Sequence, residues 1–189
     1  MRDETVARNY AEALFDLAER HEGLEAFGDG IRMVAALVDE NPRFRLFLET
    51  PRIDAESKKT TLRKAFGGRV PPMLLRFLLV TVDKRRQRLL GQIAVQYAAL
   101  VDEHENRAHV AVTVAHPLDA ETSAALEFRL SRLLGKTAVP HVRVDPGILG
   151  GVVVRAGDTI YDGSLRRRLE RMRRQLMMAS LPASGGQPT

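Results

Sequence analysis

Asn106-Arg107-Ala108-His109-Val110-Ala111-Val112-Thr113-Val114-Ala115-His116-Pro117 is where the chain changes its period. Val110, Val112 and Val114 alternate with Ala111, Thr113 and Ala115, the two-residue repeat of a strand with one buried face, and His116-Pro117 stops it. Before this stretch the apolar residues recur at helical spacing, punctuated by caps and prolines. The switch predicts a helical unit over 1–105, an αβ unit over 106–179 and a loose tail over 180–189, too poor in apolar area to offset its ordering entropy. The expected fold is an N-terminal six-helix bundle followed by a smaller C-terminal αβ unit of the α+β class.

Upstream, a first helix over about 3–20 sets Val6, Tyr10, Leu14 and Leu17 on one seam, with Ala7, Ala11 and Ala18 beside it. A second, over 24–38, keeps Leu24, Phe27, Ile31, Val34 and Val38 in register despite Gly28 and Gly30, which cost about 1 kcal/mol each relative to alanine. Asn41-Pro42 caps a short third helix carrying Phe44, Phe47 and Leu48, and Thr50-Pro51 ends it. Asp54 caps a fourth with Leu62, Ala65 and Phe66, closed by Gly67-Gly68. Pro71-Pro72 opens a fifth, apolar almost all round from Met73 to Val82, as suits the centre of a bundle. The sixth is expected over 84–105, with Leu89, Leu90, Ile93, Tyr97, Leu100 and Val101 inward.

Downstream, Asp119 caps a helix with Leu126, Leu130, Leu133 and Leu134 on one face, and Gly135 ends it. Val139, Val142 and Val144 suggest a second strand, which Pro140 confines to a sheet edge. Val152–Arg155, the Gly157-Asp158 turn and Thr159–Tyr161 form a hairpin, and Asp162-Gly163-Ser164 starts a last helix whose Leu165, Leu169, Met172 and Leu176 face is read as core.

Composition narrows the function. Of 189 residues 44% are apolar, ordinary for a globular protein, and the absence of cysteine excludes disulfides, thiolate metal sites and cysteine nucleophiles. The longest apolar run, Met73–Val82, is ten residues broken by Arg76, where a membrane span needs about 20. The opening Met1-Arg2-Asp3-Glu4 has the pattern of neither a secretory signal nor a transit peptide. The net charge of +5 lies wholly in the second half: residues 1–105 carry 17 Lys+Arg against 17 Asp+Glu, residues 106–189 carry 12 against 7.

No reactive constellation emerges. His104-Glu105 and His109 miss the i,i+4 spacing of a helical zinc site, and His21, His116 and His141 have no clustered partner in the sequence. Gly147-Ile148-Leu149-Gly150-Gly151 lacks the lysine and hydroxyl of a phosphate loop and reads as a bulge or close backbone approach. No Gly-x-Ser-x-Gly elbow occurs, and Asp102-Glu103 lies in a charged helix end. Neither cofactor nor metal is implied. Arg166, Arg167, Arg168, Arg171, Arg173 and Arg174 put six arginines in nine positions, which raises nucleic-acid binding as the alternative function, yet Phe128 and Tyr161 are the only aromatics after residue 105 for bases to stack on. The alanines of the first helix and the excess apolar surface of the fifth suit either packing inside the bundle or a groove for a partner helix, and periodicity leaves both open.

Two stretches carry a resemblance. Thr5-Val6-Ala7-Arg8-Asn9-Tyr10-Ala11-Glu12-Ala13-Leu14-Phe15-Asp16-Leu17-Ala18 looks like the opening of the delta subunit of bacterial F-type ATP synthases, and residues 144–165, with Gly150-Gly151, Arg155-Ala156-Gly157-Asp158 and Asp162-Gly163-Ser164, resemble that family's C-terminal signature. The order and spacing extend over about 5–178 and include Lys84-Arg85 and Leu89-Leu90. The resemblance implies a non-catalytic stator subunit that joins the catalytic head to the peripheral stalk while ATP is made, peripheral to the cytoplasmic face of a bacterial cell membrane. It implies two kinds of partner. A groove of the first and fifth helices, at Ala7, Tyr10, Ala11, Leu14, Leu75, Leu78, Leu79 and Val82, would take an N-terminal helix of an alpha subunit; from their place on the alanine-lined helix, Tyr10 and Leu14 are the expected anchors. The C-terminal unit, through Arg155, Arg166, Arg167 and Arg168, would meet the stalk b subunits. Pro146-Gly147 and the density of Arg166–Arg168 depart from the family's usual pattern. The absent transit peptide favours a bacterial delta subunit over the oligomycin-sensitivity-conferring protein of mitochondria.

Overall fold

The computed structural model describes residues 2–21 and 23–179; the tail expected over 180–189 lies outside them. The chain divides into two compact units, Met1–Glu105 (unit 1) and Asn106–Thr189 (unit 2).

Unit 1 is built from α1 (Arg2–His21), α2 (Leu24–Glu40), α3 (Pro42–Glu49), α4 (Ala55–Phe66), α5 (Pro72–Asp83) and α6 (Leu90–His104). The caps do what their chemistry requires. The Asn41 and Asp54 side chains accept from the Phe44 and Ser57 amides at 3.1 and 2.8 Å, satisfying N–H groups the helix itself leaves unpaired. Its core joins Phe27, Ile31, Leu62, Phe66, Leu74, Leu78, Ile93 and Tyr97. Each large apolar side chain wholly removed from water there contributes about 1.5–3 kcal/mol. Tyr97 keeps its hydroxyl satisfied by donating to the Leu24 carbonyl at 2.8 Å.

The sixth helix starts later than its periodicity predicts. Arg85 takes a left-handed φ of 55°, the Arg86 amide turns back to the Thr81 carbonyl at 2.7 Å, and a single 3-10 turn, Gln87–Leu89, leads into α6. Gln87 fixes this bend by donating from Nε2 to the Leu48 carbonyl at 2.9 Å.

Unit 2 holds β1 (Arg107–Val114), α7 (Ala120–Leu134), β2 (Thr137–Val144), β3 (Val152–Ala156), β4 (Thr159–Asp162) and α8 (Leu165–Ala179). The sheet order is β2-β1-β3-β4, with β1 and β2 parallel and the other neighbours antiparallel. Pro140 lies on the edge strand β2, where a missing N–H is tolerated. Val110, Val112, Val114, Ala138 and Val154 pack with Leu126, Leu130 and Leu134 of α7. Asp119 caps α7, and Gly135 ends it at φ 66°.

The Gly150-Gly151 pair is a close backbone approach. A Cβ on Gly151, at φ 76°, would run into the Gly163 carbonyl oxygen. Gly163 N–H donates to the Val152 carbonyl, and Leu165 N–H to that of Gly150, both at 2.9 Å. The first turn of α8 is therefore stapled to the start of β3.

Candidate functional site

In α1 the alanine column and one member of the neighbouring seam, Leu14, turn inward. Ala7, Ala11, Leu14 and Ala18 are fully buried, because their small or inward side chains let α1 lie close against its neighbours α6, α2 and α5. Val6, Tyr10 and Leu17 sit at the margin, half-buried. Tyr10 meets the ring of Phe77 edge-on, with centroids 6.1 Å apart and planes at 70°. Leu14 is thus a core residue, and of the two expected anchors only Tyr10 reaches the surface.

On α5, Leu78 and Val82 are buried, while Leu75 and Leu79 are half-buried. Leu75 and Leu79 stand two positions on either side of Phe77, and residues two apart on a helix do not share a face. The flank that Phe77 shares with Tyr10 continues instead through Met73 and Val80, the latter 48% exposed. Tyr10 and Phe77 meet across the α1/α5 apposition; by helical spacing Val6 and Leu17 share the Tyr10 side of α1, and Met73 and Val80 the Phe77 side of α5. Sequence reading passed over Met73, Phe77 and Val80, although their spacing around Phe77 at i−4 and i+3 was the signal.

Unit 2 presents the second surface. The α8 face read as core is exposed: Leu165, Leu169, Met172 and Leu176 are 44, 56, 53 and 67% accessible. Its N-terminal end is anchored. Ser164, buried, accepts from the Arg167 amide at 3.2 Å, and its own amide donates to Asp162 Oδ1 at 3.0 Å. That bond from the Ser164 backbone, with Arg167 contributing last, holds the Asp162 carboxyl below its ordinary range.

The four arginines singled out from sequence are exposed. Arg155 donates from Nε to the Gly157 carbonyl at 3.2 Å and so braces the β3–β4 turn. Arg166 pairs with Glu170 at 3.3 Å and Arg167 with Asp162 at 3.4 Å, whereas the Arg168 guanidinium has no ion pair among the described residues. Exposed pairs of this kind contribute about 0–1 kcal/mol, so Arg166 and Arg167 add little to the stability of unit 2.

One pairing corrects the reading of the histidines. His141 does have a partner: its Nε2 lies 2.8 Å from His109 Nδ1, with the rings stacked 5.0 Å apart. The parallel β1/β2 register sets Ala111 opposite His141, which brings His109 within reach. Among the described residues no group of three or more His, Cys, Asp or Glu gathers to hold a metal ion, and no helix is long and apolar enough to cross a membrane.

A model of the family described as "ATP synthase delta (OSCP) subunit" matches residues 6–176. ATP synthase subunit delta of Gemmatimonas aurantiaca is 49% identical over 173 residues, covering 92% of this chain and 94% of that protein. The subunit delta of Symbiobacterium thermophilum is 36% identical over 179 residues, covering 95% and 96%. A chain in the cryo-EM structure of the Toxoplasma gondii mitochondrial ATP synthase hexamer shares the fold, with a TM-score of 0.61 at 20% identity over 90% of this chain and 97% of that one. On the family match and the identity of these bacterial relatives, the chain belongs to the ATP synthase delta (OSCP) subunit family.

Proposed function

We propose that the chain is a non-catalytic stator subunit of an F-type ATP synthase, bracing the catalytic head against the peripheral stalk so that proton-driven rotation is coupled to ATP synthesis. In this reading unit 1 takes the N-terminal helix of an alpha subunit and unit 2, with Arg155, Arg166, Arg167 and Arg168, meets the b subunits. The protein is held at the cytoplasmic face of a bacterial membrane through the complex alone. The observation that carries the head contact is the half-exposed apolar margin of α1 and α5, with Tyr10 packed on Phe77 and Val80 open to solvent.

A brace that outlasts many turnovers needs slow dissociation, and nanomolar binding corresponds to about −12 kcal/mol. An amphipathic helix laid along apolar flanks achieves this with anchors at i, i+3 and i+4, a few central aromatic and aliphatic contacts supplying most of the energy. Ala7, Ala11, Leu14, Leu78 and Val82 support such a site from beneath, and Leu75 and Leu79 extend it only if the partner also reaches the far flank of α5.

Isothermal titration of an alpha-subunit N-terminal peptide into the full chain tests the site. Tyr10→Asp and Val80→Asp should each weaken binding by at least about tenfold, the equivalent of roughly 1.4 kcal/mol. Val95→Asp, at a residue 67% exposed on α6, should leave it unchanged. Equal affinity for all four proteins would remove the α1/α5 surface from the mechanism.

A further inference from the structure

We infer that His109 and His141 form an open, two-imidazole site for a divalent first-row transition ion, which ties the edge strand β2 to the inner strand β1. The site lies within unit 2 and is independent of the partner that unit meets.

Backbone register brings the pair together. In the parallel β1/β2 ladder His109 stands beside Val139 and Ala111 beside His141, so the two histidines are diagonal neighbours. Strand alternation puts both on the face opposite Val110 and Val112, the residues that pack with α7. The platform beneath them is fixed. Val110 and Ala138 are fully buried, and the Ala138 amide donates to Ser131 Oγ at 2.9 Å. Both histidines are exposed, so their rings turn about side-chain bonds without disturbing that core.

The spacing of the donors fits an ion. At 2.8 Å between His109 Nδ1 and His141 Nε2, one nitrogen carries a hydrogen and the other accepts it. An ion about 2.0–2.1 Å from each nitrogen would set them about 2.9 Å apart at a right angle and about 3.4 Å apart at the tetrahedral angle. The pair therefore opens by only about 0.1–0.6 Å, with the rings turned so that both lone pairs meet at one point. The hydrogen between the rings moves to the far nitrogen of its own imidazole, which leaves both rings neutral and both facing nitrogens free to donate to the ion.

The donor set also selects the class of ion. Imidazole nitrogens suit Cu²⁺, Ni²⁺ and Zn²⁺, with Cu²⁺ the tightest, and not the oxygen-seeking Mg²⁺ or Ca²⁺. Because no group of three or more His, Cys, Asp or Glu gathers among the described residues, the remaining positions of the ion stay open to water. It exchanges with solution, unlike a zinc closed in by four protein ligands. Arg107, Arg143 and Arg155 share this sheet face by strand alternation and by the Ala111–Arg155 pairing. Their charge opposes a cation and keeps the affinity below that of a structural site. An ion held from both strands stabilises unit 2 by mass action, so its unfolding transition rises with the ion concentration.

Sub-stoichiometric Cu²⁺ added to the metal-free full chain locates the site by amide NMR. Paramagnetic broadening should strike His109, Ala111, Val139 and His141 first, ahead of His21, His104 and His116. Calorimetric titration should show one Cu²⁺ per chain in the tightest class, weaker Zn²⁺ and no Mg²⁺. His109→Ala and His141→Ala should each weaken Cu²⁺ binding by at least about tenfold, because the second ligand no longer arrives at high effective concentration. His116→Ala should leave it unchanged.

Broadening centred on another histidine would overturn the site. So would equal Cu²⁺ affinity of wild type and either strand variant, or no binding up to about 1 mM Cu²⁺. The broadening pattern is read on the wild-type protein, so it decides the question without any substitution.

Discussion

Gly151→Ala should cost unit 2 far more than Gly157→Ala, although both glycines occupy the left-handed region, at φ 76° and 56°. An L-residue there carries a conformational cost of about 1 kcal/mol. Around Gly157 nothing lies within 4 Å of an added Cβ, so that cost is the whole effect. At Gly151 the new methyl would meet the Gly163 carbonyl oxygen, with the Gly163 carbonyl carbon at 3.2 Å and Ser164 Cα at 3.3 Å. All three are backbone atoms of the segment that opens α8, so no side chain can swing aside. Relief requires the Gly163-to-Val152 and Leu165-to-Gly150 hydrogen bonds to stretch, and each contributes about 1 kcal/mol net. Gly151→Ala should therefore destabilise by about 3 kcal/mol and Gly157→Ala by about 1 kcal/mol. In a unit of this size 1 kcal/mol moves Tm by roughly 4–8 °C, so the two variants should separate by roughly 8–16 °C. Differential scanning calorimetry of the full chain reads the shift, and amide exchange at Gly163 and Leu165 should accelerate in Gly151→Ala alone. Equal shifts for the two variants would refute the claim that β3 and the start of α8 are locked by backbone contact.

Two further predictions concern titrating groups. Burial pushes the Tyr97 phenol up from its ordinary 10 to about 12, so alkaline difference absorbance should show a late-titrating tyrosine that Tyr97→Phe removes. Because the folded form holds the proton more tightly, this contribution is complete below pH 10 and is lost as pH rises toward 12. Tyr97→Phe, which strips the Leu24 carbonyl of its donor, should cost about 1 kcal/mol at neutral pH by denaturant titration. Asp119 is the opposite case, its carboxyl lowered first by the hydrogen bonds of its side chain to Thr122. Its contribution is present above the ordinary carboxylate range and is lost as pH falls through the lowered value. Asp119→Asn, also a good N-cap, should match wild type at neutral pH and lose that acid dependence, whereas Asp119→Ala should lower the unit 2 transition at neutral pH. Parallel acid profiles for wild type and Asp119→Asn would show that the cap does not titrate with folding.

Much of the fold was legible because it is written in short-range chemistry. Val110, Val112 and Val114 alternate because one strand face packs on α7, and Asn41, Asp54 and Asp119 mark helix starts through amides no helix can pair internally. The late start of α6 was illegible because Leu89 and Leu90 keep helical spacing through the bend. Only the backbone turn at Arg85 and the long-range Gln87-to-Leu48 bond break the helix there. The His109–His141 contact was hidden for a related reason, since it depends on a strand register that no local spacing encodes.

The deepest misreading, α8, follows from what periodicity measures. A repeat of Leu165, Leu169, Met172 and Leu176 says that a helix has an apolar side, not that the same chain covers it. In α1 the same kind of pattern held two columns, and close packing selected the alanines and Leu14 for the interior while leaving Val6, Tyr10 and Leu17 at the margin. A seam exposed to water, on a helix whose start is nevertheless stapled in place by Gly150, Gly163 and Ser164, holds an apolar track in one orientation.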